Sequence, residues 1–237
     1  GGGDGDRFRA PGFRSLSGRG ALTPAMTGHD RAMIVFDAGL KALVEKNADI
    51  ARALKLAGAP PSRNRKPGFP SLLRIIVNQQ VSVPAGKAIW ERLEKGLGWV
   101  TPKAVREKSD EDLRAFGLSR GKGRYAKKLA QAVMDGGLDL KGLERMSDDQ
   151  VRQALMRVKG IGRWTADIYL MFALGRPDVW PVGDLALAVA AQRLLGLKTR
   201  PGHDELEAIG QAWRPWRTTA AVMLWHFYKH AGPLKEN

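Results

Sequence analysis

Residues 147–195 limit the fold of this chain more than any other stretch. Ser147 and Gln150 stand three apart, the spacing at which a serine and a glutamine cap a helix reciprocally. Leu155 and Met156 close the apolar face of the helix they open. Gly160 and Gly162 then flank Ile161 in a turn read as too tight for residues that carry a Cβ. A second run with helical apolar spacing, Trp164 to Leu174, follows at once. The pattern predicts a helix, a glycine hairpin and a helix over residues 147–174. Amides at the start of the second helix have no intrahelical partners, and they can face an anion such as a DNA phosphate. A loop over residues 175–184 then brings one carboxylate, Asp184, to the start of a third helix.

The charge balance agrees with such a partner. Lys and Arg number 39 against 24 Asp and Glu, a net charge of +15. That excess suits nucleic acid first and an anionic membrane surface second. With 237 residues, 43% of them hydrophobic, the chain can bury one sizeable core or two small ones. No apolar run is long enough for a bilayer, so the reading is a soluble protein without a membrane partner. Cysteine is absent, which excludes disulfides, a thiol nucleophile and the thiolate ligands of an iron–sulfur cluster.

Residues 1–28 are rich in Gly, Arg and Ser without apolar periodicity and read as a disordered N-terminal extension. Helical spacing runs through residues 30–56, and a basic linker follows over 58–68. The run 71–77 is almost wholly apolar, as in a helix buried on all sides. Helix starts are legible at Ser82 with Pro84, at Thr101-Pro102, and at Ser109 with Asp112. Further helices are predicted over 125–134, 204–213 and 217–229. No alternating strand pattern is present, so the fold class is all-α, with one functional region over residues 29–237.

The hairpin, the loop and the aspartate, in that order and spacing, resemble the helix-hairpin-helix DNA glycosylases. G-I-G-R-W-T-A at 160–166 and R-P-D-V-W-P-V-G-D-L at 176–185 are similar to the 3-methyladenine DNA glycosylase II branch, and the resemblance covers about residues 69–228. It implies a two-lobed helical bundle with a DNA-facing cleft between the lobes. Too few residues, and too helical, precede Phe69 for the β-domain of longer members, so the short all-helical form is expected. The implied activity is hydrolysis of the N-glycosidic bond of alkylated purines, such as 3-methyladenine and 7-methylguanine, in duplex DNA during base-excision repair. No cofactor is required, the protein would be a monomer, and it would work intracellularly, in the nucleoid or the nucleus. Two other readings stay open: a non-catalytic DNA-binding protein, and the same fold acting on deaminated or oxidised bases.

Asp184 is the catalytic candidate, because a carboxylate can stabilise positive charge developing on the deoxyribose. It also fits as a helix cap, and the two roles are compatible. Glycosylases that also cut the strand have a lysine where this chain has Trp164, so simple hydrolysis is expected. Trp164 and Trp225 are candidates for a pocket that holds a cationic base against indole faces, with core packing as the alternative. The family's wedge residue falls on Gln80. Gln79 beside it is a second DNA-binding candidate, and helix capping is the alternative for both. From the hairpin, Lys159, Gly160, Gly162, Arg163 and Thr165 are expected to meet DNA. The cationic segment at 119–124, read as flexible and set at a helix start, adds Arg120 and Lys122 as phosphate contacts, with a merely solvated loop as the alternative. As in similar hairpins, a monovalent cation, Na+ or K+, is expected on the carbonyls of Met156, Val158 and Ile161, which so tight a turn would leave converging without amide partners. Asp178 reads as a solvated turn. His226 and His230 lie four apart but lack a third metal ligand.

Overall fold

The computed structural model describes residues 28–61 and 65–231. The extension expected over the first residues therefore lies outside the described residues up to position 27, as does the middle of the basic linker. Among the described residues there are α-helices, one short 3-10 turn and no strand, so the all-α expectation holds.

Local capping explains most of the helix starts. Ser82 opens α4 (Val83–Leu97), Thr101 opens α5 (Pro102–Glu107), and Ser109 forms a full capping box on α6 (Asp110–Ala115). Each such cap is worth about 1 kcal/mol. The apolar run at 30–56 is not one helix. Asn47 takes an extended conformation and accepts the amide of Ile50, which ends α1 (Gly28–Lys46) and starts α2 (Ala48–Ala57). The segment at 119–124 is not a flexible loop either. Ser119 accepts the amide of Lys122, so α7 (Arg120–Met134) begins five residues before the predicted start at Tyr125. Gly123 in its second turn is buried, and a Cβ there would make ordinary contact with Leu113 of α6 at 3.8 Å.

The helices fall into two groups. One holds α1, α2, α10 (Leu185–Leu195) and α12 (Arg217–His230) around Ile50, Leu187 and Phe227. In the other, α3 (Phe69–Asn78), α4 and α5–α7 enclose Leu72, Ile76, Leu93 and Leu129. Against α3 lies α9 (Arg163–Phe172), with α8 (Asp148–Met156) packed on α9. The short α11 (His203–Gln211) is fixed by Trp180, whose indole N–H donates to the Leu206 carbonyl and whose ring meets Trp213 edge-on at 5.2 Å. The linker that passes from one group to the other is fastened to α9: the Arg65 amide donates to the Phe172 carbonyl, and the Gly68 amide to the Tyr169 hydroxyl. The expected two lobes are thus present, and a cleft lies between them. No helix among the described residues is long and apolar enough to cross a membrane.

Candidate active site

The loop that follows α9 is held from below. Val179 and Trp180 are buried, and Asp178 is not the solvated turn expected of R-P-D. Its carboxylate takes the Arg217 guanidinium at 2.8 and 3.0 Å and that of Arg214 at 3.2 Å. Arg217 also reaches the Asp178 carbonyl, so the loop is pinned to the first turn of α12. The loop that ends at Asp184 is thus anchored at its middle.

Asp184 accepts three N–H groups from three elements. Oδ1 takes the amide of Leu187 at 2.7 Å, which makes Asp184 the N-cap of α10. The same oxygen takes the Trp225 indole N–H from α12 at 2.9 Å. Oδ2 takes the Trp164 indole N–H from α9, also at 2.9 Å. The capping reading of Asp184 therefore holds, and it sits beside a frame that no simple cap needs. Hydrogen bonds to an ionised acceptor are shorter and stronger than neutral ones, so the frame fixes both oxygens.

Trp164 and Trp225 are half-buried, and their rings line a cleft of about 700 Å³ with Ile168, Phe172 and Asp184. Their edges are thus committed to the carboxylate, while only their rings were expected to matter. Phe172 stands 6.1 Å from Trp225, centroid to centroid. Asp184 is the single carboxylate among the described lining residues, and Arg65, Arg74 and Lys229 supply cations at the margin. Val83, 84% exposed, leaves an aliphatic side chain open to solvent at the same mouth. An aromatic cleft with one oriented carboxylate suits a planar, cationic or electron-poor ring next to a centre that gains positive charge.

The hairpin departs from its reading at one glycine. Gly160 has φ +100°, and a Cβ there would stand 2.2 Å from the Tyr125 ring. Gly162 has an ordinary φ of −96° and open space around it, so the turn itself does not demand glycine there. As the N-cap of α9 it brings no side-chain cap, which leaves the first amides of that helix without a side-chain acceptor. Lys159 and Arg163 are exposed, and Arg163 lies 3.7 Å from Asp167. Asp167 is fully buried, which pushes its carboxyl above the usual range against the opposing Arg152 guanidinium at 2.7 Å. That pair, missed in the sequence, clamps α8 to α9.

Three side chains expected at DNA have partners within the protein. Thr165 is buried, and its hydroxyl accepts the Gln79 amide nitrogen at 2.9 Å. Gln79 donates a second bond to the Gly160 carbonyl, so its amide nitrogen is engaged within the protein. Lys122 donates to the carbonyls of Val77 and Gln79, and burial draws its pKa down. Arg120 and Gln80 remain exposed. The Val158 carbonyl accepts the Ile161 amide, so the premise of partnerless carbonyls for the cation fails at that atom, although its second lone pair remains. His226 is buried with Nε2 on the Ala57 carbonyl, and no metal-binding cluster occurs among the described residues.

Residues 73–215 match the family model described as HhH-GPD superfamily base excision DNA repair protein. DNA-3-methyladenine glycosylase 1 of Schizosaccharomyces pombe is 33% identical over 187 residues, 76% of this chain and 82% of that protein. The Bacillus subtilis protein YfjP is 30% identical over 162 residues, and this match spans 65% of the present chain but only 56% of YfjP. Among solved structures, the S. pombe 3-methyladenine DNA glycosylase in complex with abasic DNA superposes with a TM-score of 0.73 at 30% identity. It covers 79% of this chain and 95% of that one. A Bacillus halodurans DNA-3-methyladenine glycosidase gives 0.68 at 35% identity, over 79% and 87% of the two chains.

Proposed function

Because the chain belongs to the HhH-GPD superfamily of base excision DNA repair proteins, we propose that it is a DNA glycosylase that hydrolyses the N-glycosidic bond of alkylated purines in duplex DNA. DNA is its partner. The observation that carries the reading is the single carboxylate held by two indole N–H groups inside an aromatic cleft.

In this reading the free amides at the start of α9, with Lys159, Arg163 and Arg120 around them, receive phosphates. The damaged nucleotide rotates out of the stack into the cleft, and Gln80 enters the gap. Alkylation at N3 or N7 makes the purine cationic, which favours the indole rings and weakens the bond to C1′. That bond breaks with its electron pair leaving on the base. Asp184 faces the sugar cation, and water bonds to C1′ and releases a proton. With Trp164 at the position of the Schiff-base lysine, the product is an abasic site in an intact strand. Borohydride trapping of a covalent protein–DNA adduct would refute that step. We further propose that the protein acts as an intracellular monomer, with Na+ or K+ on the carbonyls of Met156, Val158 and Ile161. DNA binding that is indifferent to replacing both ions with a large organic cation would remove the cation from this account.

The deciding experiment is base release from methylated duplex DNA by the wild type and by Asp184→Asn. The asparagine oxygen can still cap α10, whereas its NH2 would face the Trp164 N–H, donor against donor. Excision should fall by about a hundredfold to a thousandfold, the loss of roughly 3–4 kcal/mol of transition-state stabilisation. A variant as fast as the wild type would leave Asp184 as a cap alone. Deaminated bases in the same assay test the alternative substrate class.

A further inference from the structure

Just beyond α3 the chain turns through Gln80, whose φ of +52° is the only positive value for a residue other than glycine among the described residues. Side chains of this size adopt that conformation when their surroundings impose it. The Gln80 side chain contributes nothing to the turn: it is exposed and has no hydrogen bond to the described residues. Its neighbours do the work.

On one side, Lys122 Nζ from α7 donates to the Val77 carbonyl at 2.7 Å and to the Gln79 carbonyl at 2.6 Å. These acceptors lie at the C-terminal end of α3, where helix carbonyls lack amide partners. On the other side, Gln79 Nε2 donates to the Gly160 carbonyl at 3.2 Å and to Thr165 Oγ1 at 2.9 Å. Gly160 belongs to the hairpin turn and Thr165 to the first turn of α9. One turn along α7 from Lys122, Tyr125 lies against Gly160 so closely that a Cβ would overlap its ring. The hairpin and the Gln80 turn are therefore fastened to each other directly and to the same face of α7.

We infer that Gln79 and Lys122 are positioning residues that set Gln80 in its left-handed conformation and lock it to the hairpin, so that the phosphate grip and the gap-filling side chain move as one rigid unit. Gln80 is then already fixed relative to the hairpin when the hairpin meets its phosphate, and no loop ordering remains to oppose insertion. The inference rests on the reading of Gln80 as the residue that enters the gap.

Duplexes carrying 2-aminopurine beside the lesion report unstacking by fluorescence, and single-turnover excision on the same duplex reports the outcome. Gln79→Ala and Lys122→Met should each lower the unstacking signal and slow excision by about tenfold, the scale of losing one or two hydrogen bonds. Affinity for undamaged DNA should stay within about twofold, since the phosphate contacts are intact. In a Gln80→Ala background either substitution should add little, because both act through the same side chain. Additive losses, or wild-type fluorescence in both variants, would overturn the coupling while leaving the wedge in place. A Gln80→Ala variant with wild-type fluorescence and rate would instead refute the wedge itself, and this inference with it. Should Gln79→Ala fail to fold, Lys122→Met keeps most of the aliphatic stem and carries the same comparison.

Discussion

Removing one indole N–H at a time from Asp184 should have unequal effects, and the inequality follows from which oxygen each one holds. Oδ1 accepts two N–H groups, from Leu187 and Trp225, whereas Oδ2 accepts only the one from Trp164. Trp225→Phe therefore leaves Oδ1 with its backbone donor. Trp164→Phe leaves Oδ2 with none, and the carboxylate can swing about the bonds that remain. A hydrogen bond to a charged group contributes about 1.5–3 kcal/mol when buried, and the half-buried cleft places these nearer the low end. If all of that is lost from the transition state, Trp164→Phe slows excision by about tenfold to thirtyfold, and Trp225→Phe by about threefold to tenfold. Single-turnover excision from alkylated duplex DNA measures the rate. Affinity for duplex DNA with an abasic site separates this effect from stacking, because no base then fills the cleft. Both variants should bind that product like the wild type. Equal losses, a larger loss for Trp225→Phe, or weakened product binding that tracks the rates would refute the reasoning.

Three other perturbations read other parts of the molecule. Gly160→Ala drives a Cβ into the Tyr125 ring at a left-handed position and should lower the melting temperature markedly, whereas Gly162→Ala should melt like the wild type but bind undamaged duplex more weakly. Equal melting of the two would contradict the asymmetry of the turn. Asp178→Ala strands Arg217, 10% exposed, with Glu207 at 3.4 Å as its remaining carboxylate, and should destabilise by about 2–3 kcal/mol, which urea unfolding would measure. On α6, the hydrogen bond from Lys127 holds the Asp110 carboxyl below its ordinary 3.8, and the Ser109 amide does the same for Asp112. Folded values below the unfolded one mean a contribution present above 3.8 that is lost as pH falls further. The stability difference between wild type and Asp112→Asn should therefore shrink from pH 5 to pH 3, and a constant difference would count against it.

How far the sequence is legible depends on the range of the interaction. Ser147 with Gln150 and Ser109 with Asp112 announce their helices because donor and acceptor lie three residues apart. The hairpin and Asp184 are legible for the same reason, as features within one short stretch. Misreadings fall where a polar side chain finds a distant partner. Lys122 looks like a surface cation until Val77, 45 residues earlier, takes its ammonium. Thr165 and Gln79 lie 86 residues apart, and Asp178 and Arg217 lie 39 apart, so nothing local marks either pair. The split at Asn47 is not legible because apolar spacing continues in phase across it, and only the capping side chain breaks the helix. The Trp164 and Trp225 N–H bonds are invisible to periodicity, which reports which face of a helix is apolar but not where a ring edge points.

The frame around Asp184 also bears on how the protein is made. Trp164, Asp184 and Trp225 come from α9, the turn before α10, and α12, and α12 is the last described helix to leave the ribosome. A nascent chain that has emerged through α10 already carries the hairpin and the carboxylate, yet it lacks one of the two indoles that orient it and the arginine that pins the loop beneath. Such a fragment can meet nucleic acid through its charge without a completed centre for excision. On the proposed function, base removal would wait until α12 docks, and a molecule in which α12 has come loose should lose excision before it loses DNA binding.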